Sequence, residues 1–212
     1  MIIGSSSLWL SSIKDIDEEL MECIKRVWPS VIRRCSQTEK EDTITERLVD
    51  LLRKDKSLCK LGFLNIHYKL REEDTLGDFT TKGILDMALF LDQNYDRYIA
   101  YECKRLNRID SQGKRTGSQA GTYVEDGVSR YVNAKYSKKL PYGCMIGYVM
   151  DGDLAFALKQ LVAAINKRRS LIKLSSGQLF ISSDNSTAFE TSHSRAYDNS
   201  SITVRHRLFS MI

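Results

Sequence analysis

Gly83-Ile-Leu-Asp-Met-Ala-Leu-Phe90 and Tyr98-Ile-Ala-Tyr-Glu-Cys-Lys104 decide how this chain reads. Both are short apolar runs with aromatic and β-branched members, which favours strands. Asp92-Gln-Asn-Tyr-Asp-Arg97 between them is polar and turn-forming, so the runs are expected to pair as an antiparallel hairpin with Asp86 alongside Glu102. Successive strand side chains point to opposite faces, which puts Glu102 and Lys104 together and turns Cys103 away. Two carboxylates and an ammonium then converge on one point, and hard oxygen ligands of this kind suit Mg²⁺. Composition alone would give roughly two acid-x-Lys triplets. This chain has one, set in apolar surroundings where charges are costly unless paired or metal-bound. The competing reading is a structural ion pair.

Upstream, Ser12-Ile-Lys-Asp15 has the form of a capping box and predicts a helix to about Arg34, ended or interrupted near Pro29; with Trp9 and Trp28 it reads as an N-terminal packing element. Thr38-Glu-Lys-Glu41 offers a second capping box before a helix over 42–54 whose stripe is Ile44, Leu48, Leu51 and Leu52. Glu41 falls near the middle of that stripe, whereas Glu46 lies roughly 140° away. Glu41 is therefore the helix acid expected to reach the sheet, with a pure capping role as its alternative.

Leu64-Asn-Ile-His-Tyr-Lys-Leu70 reads as a strand and 71–81 as a polar loop, giving a helix followed by a three-stranded meander. The Gly-, Ser- and Lys/Arg-rich stretch 107–122 contains neither G-x-x-x-x-G-K-[ST] nor G-x-G-x-x-G and is expected to be a loop beside the site. Its Lys114, Arg115 and Gln119, together with Arg105, are placed to touch phosphates. A helix over 123–136, with Val124, Val128, Tyr131 and Val132 inward, puts Arg130 and Lys135 on the rim. A buried strand over 142–150, a helix over 154–167, and strands near 179–182, 188–193 and 202–209 complete an α/β pattern.

The formal net charge is +5, with basic residues clustered after Glu102, which suits a polyanion partner. Cysteines at 23, 35, 59, 103 and 144 form no C-x-x-C pair and read as reduced thiols that mostly pack as small hydrophobes. The chain lacks a basic, apolar leader and any run approaching the roughly 18 apolar residues of a span, so a cytoplasmic protein without membrane contact is expected. His67, His193 and His206 do not pair at metal spacing, and G-x-S-x-G, H-E-x-x-H and the zinc-deaminase signature are absent from the sequence.

A helix acid, then Asp, then Glu-x-Lys on adjacent strands, followed by a helix and a strand, resembles the restriction-endonuclease-like PD-(D/E)XK nuclease superfamily over roughly 41–153. Asp86 matches the first strand acid, Glu102 and Lys104 the second acid and lysine, and Glu41 the helix acid; Leu85 stands where the motif name has proline. The resemblance implies a three-layer core with a central mixed sheet flanked by helices (38–212) after an N-terminal helical extension (1–37). It implies that Asp86, Glu102, the Cys103 carbonyl and Glu41 hold Mg²⁺, for which Mn²⁺ can substitute, while Lys104 orients or activates water for phosphodiester hydrolysis in DNA, with RNA as an alternative. The stretch 123–148 also resembles stand-alone nucleases of bacterial antiphage defence, implying an effector subunit whose protein partner supplies activation or specificity. The competing expectations are a non-cleaving nucleic-acid-binding or scaffolding subunit and a homodimeric restriction enzyme.

Overall fold

The computed structural model describes residues 6–73, 75, 77–138, 140–175, 180–181 and 187–212; the side chains of 6–11, Trp9 among them, and of 180–181, and positions 179 and 182, lie outside the described residues. The chain runs α1 (Ser6–Ile32), α2 (Glu41–Leu52), α3 (Leu58–Leu61), β1 (Phe63–Glu73), β2 (Phe79–Phe90), β3 (Tyr98–Leu106), β4 (Arg108–Ile109) and β5 (Arg115–Gly117). It continues through α4 (Ala120–Thr122), a π-turn (Tyr123–Val128) and α5 (Ser129–Val132) to β6 (Tyr142–Val149), α6 (Leu154–Lys167), β7 (Phe180–Ile181), β8 (Ala188–Ser194) and β9 (Ser201–Ser210). The main sheet is mixed, ordered β1-β2-β3-β6-β9-β8-β7, with β3, β6 and β9 parallel and the flanking pairs antiparallel; β4 and β5 form a separate hairpin.

Two apolar clusters cover the two faces of this sheet and make an α/β sandwich. On one side α1 and α2 bury Leu20, Ile24, Val31, Ile44, Leu48 and Leu52 against Ile99, Tyr101, Cys103 and Ile146. On the other, the helical segment 120–132 and α6 bury Val128, Tyr131, Leu161 and Ile165 against Ala100, Met145 and Val204. β6 is buried along its whole length, as expected of a central strand covered on both faces.

The helix over 6–32 runs through Pro29, where the sequence led us to expect an interruption. Proline in a helix interior costs about 3 kcal/mol. Packing offsets this: Trp28 stacks on Tyr148 with centroids 5.7 Å apart, and its indole N–H donates to the Ser210 carbonyl at 2.6 Å. Further up the helix, buried Asp17 accepts from the Tyr101 hydroxyl (2.9 Å), the Tyr142 hydroxyl (3.2 Å), the Arg205 guanidinium (2.8 Å) and the Cys144 thiol (3.3 Å). The N-terminal segment thus supplies part of the first layer of the fold.

The hairpin of β1 and β2 is longer than its apolar runs suggested, because 71–73 pair with 79–81 within the stretch expected to be a polar loop. Gly143 and Gly147 are needed for close approach: a Cβ would lie 2.3 Å from the Tyr131 ring at the first and 2.7 Å from Leu106 and Leu208 at the second. No helix among the described residues is long and apolar enough to cross a membrane.

Candidate active site

β2 and β3 pair from Phe90↔Tyr98 to Met87↔Tyr101, and there the ladder stops. The next step would set Asp86 opposite Glu102, the register expected from the hairpin, but the strands part and leave a fork. A local irregularity in β2 accompanies it. Leu85 packs in the same cluster as Ala88 and Phe90, while Met87 packs in the opposite one, so burial parity shifts at Asp86. Opposite on β1, between Ile66↔Met87 and Tyr68↔Leu85, His67 adopts a left-handed φ of 49°. Such strain in a non-glycine residue is uncommon in a strand and concentrates at functional sites.

Carboxylates fill the fork. The Cys103 N–H, which no longer meets β2, donates to Asp86 Oδ2 at 2.7 Å, and the Arg105 N–H donates to Glu41 Oε2 at 2.8 Å. Glu41 stands at the first position of α2, and the residue before it makes no side-chain cap. The capping box expected at 38–41 therefore does not form as read. The Glu41 carboxylate serves the β3 edge instead, and Glu39 pairs with Arg47 at 2.7 Å. Glu46 is exposed, so the stripe argument selected the acid that reaches the sheet.

Lys104 lies among the acids, with Nζ 2.7 Å from Glu102 Oε1, 2.8 Å from Glu41 Oε1 and 3.9 Å from Asp86 Oδ2; it also donates to the Cys103 carbonyl at 2.8 Å. Arg130 Nη1 contacts Glu102 Oε1 at 2.7 Å and donates to the Tyr136 hydroxyl at 2.6 Å, which in turn donates to the Ile84 carbonyl. Glu102 is wholly inaccessible, and its Oε2 has no hydrogen-bond partner. The site is otherwise open at its rim, with Lys104, Asp86 and Glu41 side chains 13%, 16% and 24% exposed.

Three carboxylates face two cations, so the cluster is short of positive charge when all its acids are ionised. Burial, and then the neighbouring Glu102 charge, push the Asp86 carboxyl up to about 7. Burial also raises Glu102, against the pull of Lys104 and Arg130. Burial would lower Lys104, but Glu102, Glu41 and Asp86 together outweigh it and raise its pKa. The lysine is thus an ammonium at neutral pH. In this charge state it is placed to orient a water and stabilise negative charge.

The donor set suits a hard cation. It offers carboxylate and carbonyl oxygens, a buried acceptor without a partner in Glu102 Oε2, and a net negative charge. Among the described residues no three or more Asp, Glu, His or Cys side chains are grouped so as to hold a metal ion between them. Mg²⁺ commonly uses one or two carboxylates and completes its shell with water, which Asp86, Glu102 and the Cys103 carbonyl can meet.

The remaining candidates divide. Arg105 and Gln119 line a cavity of about 260 Å³ beside the fork, together with Gln37, Thr38, Arg108, Ile109 and Met150. Arg115, expected at phosphates, is instead tied to Asp151 and Asp153 and lies over the Phe156 ring at 3.9 Å. Lys114 is exposed on the turn between β4 and β5, which Asp110 organises by accepting the Gln112 and Lys114 N–H groups. Lys135 is exposed, with its stem over Gly83, where a Cβ would lie 2.9 Å from Lys135 Cε. Sequence reasoning missed Tyr136 and most of the cavity lining, because these residues belong to no motif and meet only through the tertiary fold. His193 and His206 lie in a buried chain through Thr191 (2.7 and 2.8 Å), away from the acids.

Comparison with protein-family models, curated proteins and solved structures finds no match to this chain.

Proposed function

We propose that this protein is a metal-dependent nuclease of the restriction-endonuclease-like kind, hydrolysing phosphodiester bonds in DNA or RNA. The observation that carries this reading is the fork between β2 and β3, where Glu41, Asp86, Glu102, the Cys103 carbonyl and Lys104 converge from one helix and two strands. The mixed sheet between helical layers, with the acids at the point where its antiparallel strands part, is consistent with the fold that the resemblance implies.

Asp86, Glu102 and the Cys103 carbonyl would hold Mg²⁺ or Mn²⁺, with Glu41 in support. A bound divalent ion would supply Lewis acidity toward the phosphate and acidify a water. Lys104 contributes a fixed positive charge beside the reacting phosphate and orients the attacking water through its N–H groups. Arg130 holds Glu102 in place and offers its remaining donors to the rim. The basic surface supplies the non-specific attraction to polyanion that such a site needs.

A second reading, a nucleic-acid-binding subunit that does not cut, draws on one observation: Lys104 and Arg130 already neutralise much of the acid charge. Cleavage of supercoiled plasmid and of single-stranded DNA and RNA, with Mg²⁺, Mn²⁺ or EDTA, separates the two. The nuclease reading expects metal-dependent cutting that falls by about 10²–10³ in Lys104→Ala. Binding without cutting under either metal would favour the second reading.

A further inference from the structure

The cavity beside the fork lies just outside the carboxyl ends of the parallel strands β3 and β6, which end at Leu106 and Val149. In α/β sheets this is the crevice where ligands bind. Two walls come from opposite sides of the sheet. Gln37 and Thr38 belong to the loop leading into α2, and Gln119 immediately precedes α4. The floor is apolar, made by Ile109 and Met150, while Arg105 and Arg108 supply guanidinium groups. Arg108 is exposed and, among the described residues, makes no side-chain hydrogen bond or ion pair. Arg105 spends one donor on the Glu39 carbonyl at 3.0 Å and keeps the others.

Arg105 also joins this cavity to the acids, since its own N–H holds Glu41 at 2.8 Å and its neighbour is Lys104. A group seated in the cavity would thus share Arg105, through its side chain, with the fork that the same residue's N–H braces. Its volume of about 260 Å³ falls just below the range of about 300–1,000 Å³ usual for small-molecule pockets. That space is of the size of a single nucleotide-sized group. Guanidinium groups over an apolar floor, with carboxamides at the edge, match a phosphate followed by a flat, hydrogen-bonding base.

We propose that this cavity receives one unpaired nucleotide flanking the scissile phosphate, so that the substrate is a single-stranded or locally unpaired polynucleotide. The assignment rests on the nuclease reading for the word scissile, but its binding test stands apart from cutting. Fluorescence anisotropy in EDTA would compare a labelled oligothymidylate with a duplex of equal length, for the wild type and Arg108→Ala, with both proteins checked for folding by circular dichroism.

The single strand should bind at least about tenfold more tightly. Arg108→Ala should weaken that binding about three- to tenfold and reduce the slope of log affinity against log salt by about 0.7, the value for one phosphate contact on a single strand. Thymidine monophosphate should compete with the oligonucleotide on the wild type. Equal binding of duplex and single strand, or an Arg108→Ala protein that binds like the wild type, overturns the assignment. Metal-dependent plasmid cutting alongside that negative result leaves the nuclease reading standing. Arg108-dependent single-strand binding without cutting under any metal keeps the pocket and removes the nuclease.

Discussion

Replacing Asp86 with asparagine should raise the stability of the metal-free protein at alkaline pH while abolishing the proposed metal-dependent cleavage. Burial and the Glu102 charge lift the Asp86 carboxyl from 3.8 to about 7. Because the folded-state pKa lies above the unfolded one, its contribution is fully present below the unfolded value and is lost as pH rises through about 7. At about 1.36 kcal/mol per unit, a gap of about three units costs the native state about 4 kcal/mol at about pH 8 and about 2 kcal/mol at about pH 5. Asparagine carries no charge, and its Oδ1 can still accept the Cys103 N–H. The variant should therefore exceed the wild type by up to about 4 kcal/mol at about pH 8 and by about half that at about pH 5. Urea unfolding in EDTA at both pH values measures the difference, and the buried histidines, common to both proteins, cancel from it. Adding Mg²⁺ should stabilise the wild type and leave the variant unchanged. A variant no more stable than the wild type at the higher pH, or a difference that does not vary with pH, would refute the account of Asp86 as a strained carboxylate.

Arg130→Ala leaves Glu102 with Lys104 as its one cationic partner and should cost about 3 kcal/mol by urea unfolding, since it breaks a buried pair; a loss under about half that would mean solvent already screens the contact. His67→Gly relieves a left-handed φ and should be neutral or stabilising by about 1 kcal/mol, whereas a loss would show that the imidazole itself is needed there. His193 is held down to about 4 by burial, so the unfolded chain takes up its proton first as pH falls. Wild type should therefore lose about 3 kcal/mol relative to His193→Gln between about pH 6.5 and about pH 4, a difference from which the contributions of Asp86 and His206, common to both proteins, cancel.

Much of the site was legible because strands and helices have fixed periods. The turn between the two apolar runs placed Asp86 against Glu102, and 100° per residue chose Glu41 over Glu46. The parting of the strands was not legible, since it goes with a left-handed φ at His67 and a shift of burial parity at Asp86 that no local pattern encodes. Helix α1 passes Pro29 because Trp28 and its neighbours bury enough apolar surface to hold it, a tertiary effect invisible to propensity. The π-turn over 123–128 was read as ordinary helix for the same reason. Gly127 lies within it where a Cβ would come 2.4 Å from Met145 Cε, so close packing on β6 sets the backbone there. Basic residues were the least predictable, as Arg115 illustrates: charge in sequence does not say whether the partner is a ligand or Asp151 and Asp153.

The contacts around Asp17 give the molecule an internal clock. The Cys144 thiol sits under α1 beside that carboxylate, and burial followed by the Asp17 charge push its pKa well above the ordinary value. A thiolate is the reactive form, so Cys144 is inert to alkylating reagents while α1 is docked. Exposed Cys59 and half-buried Cys35 are open to such reagents without any unfolding. The order in which the thiols are modified then reports on local opening: modification of Cys144 ahead of global unfolding would time the lifting of the N-terminal helix from the sheet.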